Sequence, residues 1–429
     1  MQHHESLPPV PIVKGEGAYL IDAAGQRYFD ACSSWWTNLF GHANPRINAA
    51  LKTQLDHIEH VMLAGFTHEP AVALAERLAQ LTGLGHAFYA SDGASAVEIA
   101  LKMSFHHWRN RGLCGKTHFV SLEGSYHGET LGALSVTDVA SFREAYDALL
   151  MPHIKTSNPS SGGHSKAFLP QTPRQSTDFA ILSCTAADHA LADLATLLAS
   201  RADQIAALIV EPLVQGAAGM RMYHANFLTG ARRLCDRHNV HLIADEIMTG
   251  FGRTGTLFAS EAAGIRPDLM CLSKGLTGGY LPLSCVLSTD QIYDSFYDPQ
   301  TARGFLHSHS YTGSALACRA ALATLDIFET DRVIEQNRDK AARWSEIARP
   351  LASHRAVTAA RTQGLIWAFD VATTDHAFSR SVFARALSKG QLIRPIGNTI
   401  YFMPPYVTED AQFAELVDAT LAILDSLDA

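Results

Sequence analysis

Short, nearly continuous apolar runs alternate along most of this chain with longer stretches whose apolar positions recur every three or four residues. These are the two periods of a buried strand and an amphipathic helix. HAFYA at 86–90, THFVSL at 117–122, ALIV at 207–210, VHLIAD at 240–245, DLMCLS at 268–273 and LSCVLS at 283–288 read as strands, with helical spacing between most of them. Strand–helix alternation from 86 to 288 predicts an α/β fold: a mostly parallel sheet, helices on both faces, and ligands at the carboxyl ends of the strands. Before it, AYLIDAAGQRYFDA at 18–31 reads as a hairpin turning at Ala24-Gly25-Gln26, and 45–81 as two helical pieces broken at 62–68. The Pro-, Ser- and Gly-rich stretch 152–178 reads as a long surface excursion. From 331 the pattern becomes a helix through Ala348, strands at 364–371 and 399–402, and helices at 376–389 and 409–427, a smaller α+β unit. The expected organisation is an N-terminal segment 1–45 joining that small domain, a large domain 46–330, and the small domain 331–429.

Two strand ends carry unusual chemistry. Asp245 closes one apolar run and Lys274 closes the next, followed by Gly275, Gly278 and Gly279. Isolated, the acid would read as a helix cap and the lysine as a solvated surface group. A lysine amine at a strand end facing a ligand is partly stripped of water, which lowers its pKa and makes it nucleophilic. An acid for a pyridinium nitrogen and a lysine for an aldehyde carbon are the two protein groups that pyridoxal 5'-phosphate requires. The pair therefore predicts a pyridoxal phosphate enzyme.

Other candidates gather around this pair. SDGASAVE places a turn before a long helix starting near Ala94 or Ser95, a helix end that favours phosphate, with hydroxyls from Ser91 and Ser95. Tyr126 and His127 sit on the glycine-flanked turn 124–128; the tyrosine either lies over a bound ring or packs on its own loop. Glu211 either balances cationic groups near the site or simply ends its strand. In SSWW, read as extended, Trp35 and Trp36 should point to opposite faces, as core and surface filler or as a substrate wall and its anchor. His307, Ser308 and His309 lack the further ligands of a metal site, so no metal is expected; Ser310 and nearby N–H groups suit a phosphate. Arg394 either grips a carboxylate or is exposed beside Pro395.

Composition narrows the class without changing this picture. With 429 residues, 47% hydrophobic and 18% charged, the chain can bury a large core. A net charge of −8 without a long basic run gives no reason to expect nucleic acid or an anionic membrane as partner. The seven cysteines form no C-x-x-C pair, and there is neither an apolar signal region nor a run of eighteen apolar residues, so a reduced, cytoplasmic protein is expected.

SSWW at 33–36, GASAVE at 93–98, SYHG at 125–128, EPLVQGAAGM at 211–220, IADEIMTGFGRTG at 243–255, LSKGLTGG at 272–279 and IRPIGNTIYFMPPY at 393–406 together resemble the class III, fold-type I pyridoxal phosphate aminotransferases over nearly the whole chain. SSWW with RMYH at 221–224 narrows the likeness to the branch serving biotin synthesis. The resemblance implies conversion of 8-amino-7-oxononanoate to 7,8-diaminononanoate with S-adenosylmethionine as donor, lysine remaining open as an alternative donor. It implies Lys274 bonded to the cofactor, Asp245 on the ring nitrogen and Tyr126 against the ring. Gly93, Ala94, His309 and Ser310 would lie at the phosphate, and Trp35, Trp36, Ser308 and Arg394 along the substrate. It further implies a homodimer in which the 307–310 loop serves the neighbouring subunit. Three departures stand out. An aromatic-His-Pro-Tyr segment of the family would lie upstream of Met1, so either the start is internal or the site is more open. Ala94 stands where Ser is common, and Ser308-His309-Ser310 replaces a Gly-Pro-Thr form. A transaminase of ω-amino acids or diamines, and a catalytically silent protein on this fold, are the rival readings.

Overall fold

Apolar runs this short satisfy their N–H and C=O groups inside a core only by pairing, and the six between 86 and 288 pair, with one further short strand, into one sheet. The computed structural model describes residues 9–160 and 184–427, with Leu7 and Leu182. It begins with an antiparallel meander, β1 (Ile12–Glu16), β2 (Tyr19–Asp22) and β3 (Arg27–Asp30). β2 and β3 form the expected hairpin: Asp22 Oδ1 accepts the N–H groups of Ala24 and Gln26, each at 2.9 Å, and Gly25 takes φ 83°. β1 was not anticipated, since IVKGE is exposed and polar at alternate positions.

The central strands are β4 (His86–Ala90), β5 (His118–Leu122), β6 (Ile154–Thr156) and β7 (Ile205–Val210). After the small hairpin β8 (Val214–Gln215) and β9 (Arg221–Met222) come β10 (His241–Asp245), β11 (Leu269–Leu272) and β12 (Ser284–Ser288). Their order is β4-β12-β11-β10-β7-β5-β6. The pairs from β6 to β11 are parallel, and only β12 runs against both its neighbours. Every residue of β7, β10 and β11 is buried, which is why these strands read as unbroken apolar runs. β6 corrects the reading of 152–178 as surface excursion: Ile154 to Thr156 form the edge strand beside β5, and 161–178 lie outside the described residues.

The C-terminal part holds β13 (Val357–Gln363), β14 (Ile366–Val371), β15 (Gln391–Leu392) and β16 (Thr399–Phe402), with helices Val333–Ala352, Phe378–Ser388 and Asp410–Leu427. β13, β14 and β16 form an antiparallel sheet. Trp344 and Phe413 stack against it with ring centroids 4.5 Å apart. β15 pairs with β3, so the N-terminal meander is built into this part of the molecule. No helix among the described residues is long and apolar enough to cross a membrane.

Candidate active site

β10 and β11 are parallel neighbours, so Asp245 and the residues after Leu272 emerge on the same edge of the sheet. Successive residues turn to opposite sides at that edge. Glu246 points into the core, its carboxylate accepting Thr249 Oγ1 at 2.7 Å, Ala259 N at 3.0 Å, and Ser260 N and Oγ at 2.8 and 2.7 Å. Asp245 faces a cavity instead. Lys274 opens a single tight turn, Lys274–Thr277, with the left-handed φ of 46° that takes its side chain off the strand line, and Gly278 at φ 63° closes the turn.

The cavity, about 280 Å³, is lined by Trp36, Gly93, Ala94, Tyr126, His127, Gly128, Glu129, Glu211, Asp245, Ile247, Met248 and Lys274. Six of the residues singled out in the sequence as cofactor contacts therefore meet around Lys274. His127 Nδ1 lies 2.7 Å from Asp245 Oδ2, with both side chains almost wholly buried. Glu211 joins two loops: one carboxylate oxygen accepts Tyr126 N and the other Gly216 N, both at 2.9 Å. Burial raises the Glu211 pKa to about 7, the Asp245 charge adding to the rise while His127 and the two N–H donors oppose it. Burial lowers the Lys274 amine to about 8 against the opposing pull of Asp245 and Glu211. Tyr126 donates its hydroxyl to Glu129 at 2.9 Å, and burial pushes its pKa upward.

At the helix Gly93–Asn110, Asp92 caps the first turn. Its carboxylate accepts both Ser95 N and Ser95 Oγ, at 2.9 and 2.8 Å. Ser95 is thereby committed to the cap and cannot replace the hydroxyl that Ala94 lacks, so the N–H groups of Gly93 and Ala94 are the donors that end offers the cavity. Gly128 lets the Tyr126 turn approach: a Cβ there would lie 2.7 Å from Ala94 Cβ, at a φ of 127°.

SSWW is not extended. Ser33, Ser34, Trp35 and Trp36 have φ of 50°, 46°, 69° and 71°, one turn of left-handed helix, at about 1–2 kcal/mol per residue. Tertiary bonds offset that strain. Ser34 N and Oγ donate to Asp30 at 3.0 and 2.7 Å, His42 Nε2 sits 3.0 Å from the same carboxylate, and Ser33 Oγ donates to Met403 O at 2.7 Å. The turn buries Trp36 against the cavity and leaves Trp35 58% exposed, so the indoles do diverge, for a reason other than strand alternation.

Trp35, Arg394, Ser308, His309 and Ser310 are not among the residues lining the cavity. The Arg394 guanidinium stacks over Trp35, 4.8 Å from the ring centre. His309 Nε2 lies 3.2 Å from Ser91 Oγ, and Ser308 and Ser310 are exposed. Sequence reasoning missed Glu129, Ile247 and Met248. The first lies three residues beyond Tyr126, and the others two and three residues beyond Asp245, so nearness in sequence was the available signal.

The group implied by the resemblance fits these residues. His127 Nε2 is a buried polar atom of the cavity lining without a protein partner. An acid and an amine of lowered pKa share the same cavity. Comparison with known proteins agrees with this chemistry. Residues 1–424 match the family described as Aminotransferase class-III. The chain is 45% identical to the adenosylmethionine-8-amino-7-oxononanoate aminotransferase of Helicobacter pylori (strain ATCC 700392 / 26695), covering 100% of this chain and 94% of that protein. The enzyme of that name from Geobacter sulfurreducens is 39% identical over 97% of this chain and 92% of its own. The crystal structure of the Methanocaldococcus jannaschii DSM 2661 enzyme of the same name superposes with a TM-score of 0.89 at 34% identity, covering 99% of this chain and 95% of that one. An amine transaminase from an uncultivated Pseudomonas species, solved with pyridoxal phosphate bound, gives 0.90 at 31% identity, with 98% and 96% covered. The chain belongs to the class III aminotransferases, enzymes of fold type I that work with pyridoxal 5'-phosphate.

Proposed function

We propose that this protein transfers an amino group to 8-amino-7-oxononanoate, giving 7,8-diaminononanoate for biotin synthesis, with S-adenosylmethionine as donor. The observation that carries the transaminase chemistry is one cavity holding the Lys274 amine, lowered to about 8, together with the Asp245 carboxylate. The choice of substrate rests on relatives bearing that activity in their names at up to 45% identity over nearly their full length.

Pyridoxal phosphate bound in this cavity supplies an electron-withdrawing ring that stabilises negative charge at the substrate carbon. Asp245, held by His127 at 2.7 Å, would supply the carboxylate for its ring nitrogen. Lys274 anchors the cofactor and moves the proton to and from the substrate carbon, which an amine titrating near 8 does well near neutral pH. Tyr126 forms a flat wall beside the ring, and Glu211 fixes Tyr126 from behind through the backbone. Gly93 and Ala94 offer N–H groups to the phosphate. His309 and Ser310 would meet the phosphate of a second copy's cofactor, Ser310 through its N–H, since the His309 N–H donates to Thr312 Oγ1 at 3.1 Å; the working unit in this reading is a cytoplasmic homodimer. Arg394 and Ser308 meet the far end of the substrate, with Trp35 and Trp36 along its chain.

Purified protein supplied with the oxo-acid and with S-adenosylmethionine or lysine in turn should form the diamine with the first donor. Turnover with ω-amino acids or simple amines alone, and never with the oxo-acid, would move the protein to the other branch, represented among similar structures by the Pseudomonas amine transaminase.

A further inference from the structure

The indole of Trp36 does more than line the cavity. Its face lies 4.5 Å from Lys274 Nζ, close enough for the ring quadrupole to favour the ammonium form. An indole can rotate, and its backbone sits in a strained left-handed turn, so something must fix the ring in that pose. Only one side-chain hydrogen bond is recorded for it among the described residues: Trp36 Nε1 donates to Tyr401 Oη at 3.0 Å. The two rings also meet edge to face, centroids 6.1 Å apart and planes at 68°. Tyr401 is itself 3% exposed on β16 and does not line the cavity. Two residues further along, Met403 holds the turn as well, its carbonyl accepting Ser33 Oγ and its N–H donating to Ala31 O at 2.8 Å. Gly216 also backs the ring closely, since a Cβ there would lie 3.2 Å from it.

We propose that Tyr401 is a positioning residue, which by holding the indole of Trp36 against Lys274 sets how readily that amine gives up its proton. The other charged or titratable groups lining the same cavity among the described residues are Asp245 at the end of β10, Glu211 after β7, and Tyr126, His127 and Glu129 after β5. Asp245 and Glu211 also favour the ammonium form, while burial disfavours it. Loss of the indole contact removes one of the supports of the charged form, so the amine becomes less basic. This deepens the transaminase reading, because the same amine is the one assigned the proton transfer.

The test measures the amine itself. Full-length protein freed of cofactor is treated with acetic anhydride across a pH series, and acetylation of Lys274 is followed by peptide mass spectrometry. Tyr401→Phe keeps the ring and its edge-to-face contact and deletes only the acceptor oxygen. It should lower the midpoint of Lys274 labelling by about half a pH unit to one unit. Trp36→Phe should lower it too, and Tyr401→Phe added to Trp36→Phe should lower it no further, since Tyr401 acts through the indole. An unchanged midpoint in Tyr401→Phe, or additive shifts in the double variant, overturns the proposal. The labelling result stands apart from the choice of substrate: if the wild type fails to turn over the oxo-acid, the proposed function falls while the midpoints still decide the role of Tyr401.

Discussion

Asp245 and Glu246 carry the same charge at adjacent positions, yet one faces the cavity while the other is sealed beneath four hydrogen bonds from Thr249, Ala259 and Ser260. Strand alternation separates them, and packing then assigns the work. Asp245 and Lys274 are legible in the sequence because each ends an apolar run, and a polar group in that position needs a reason. Tyr401 is not legible, because its contact with Trp36 spans 365 positions and no local pattern encodes it. At this scale the test is Lys274→Ala. It deletes the amine while leaving the strand ends intact, so cofactor should still bind without being trapped by borohydride. Transamination should fall by about 10²–10⁴-fold or more, the usual contribution of a positioned proton-transfer group. Retained turnover in a steady-state assay would remove Lys274 from the role given to it.

Buried strands and long helices follow from apolar period alone, whereas the edge strands and the strained turn do not. β6 is three residues long and β13 reads VTAARTQ, too short or too polar to stand out. The 33–36 turn adopts a backbone hand that its residues disfavour, and bonds to Met403 and to Asp30, whose carboxylate His42 also contacts, enforce it. Glycine matters most where the Tyr126 turn meets the helix Gly93–Asn110. Gly128→Ala would add a methyl 3.0 Å from the Ala94 backbone at a φ of 127°, forcing the helix start and the turn apart. Such overpacking costs typically 1–3 kcal/mol, so affinity for pyridoxal phosphate, read by titration of the cofactor-free chain, should weaken about 10–100-fold. An unaltered dissociation constant would mean that this approach does not shape the phosphate end.

On the scale of the whole molecule, the face of the sheet beneath that helix hides a pair of neutral histidines. His107 and His241 pack 4.7 Å apart, with Trp108 stacked on His241 at 4.3 Å. Burial lowers His107 from 6.5 to about 4, helped by the Arg111 charge, and burial likewise takes His241 well below its usual value. The folded pair resists protons that the unfolded chain accepts below pH 6.5, so the pair takes nothing from stability above that pH and an increasing amount as pH falls toward 4. Each histidine contributes a slope of up to about 1.4 kcal/mol per pH unit across that window. Unfolding midpoints in urea between pH 7 and 4.5 should therefore drop, and His107→Phe should flatten the decline; an identical slope in the variant would assign the acid sensitivity elsewhere.

The antiparallel β12 also sets a clock. β4 pairs with nothing in the sheet except β12, which lies roughly 200 residues later, so a chain emerging from the ribosome at about 5–20 residues per second carries β4 without its partner for about 10–40 s. During that interval Phe88 and Tyr89 have no strand beside them. The helix Gly93–Asn110, whose first turn borders the cavity, must wait for the same late strand before the edge of the sheet beneath it is complete. The nascent protein is thus most open to self-association just before its reactive lysine, fourteen positions ahead of Ser288, gains its final surroundings.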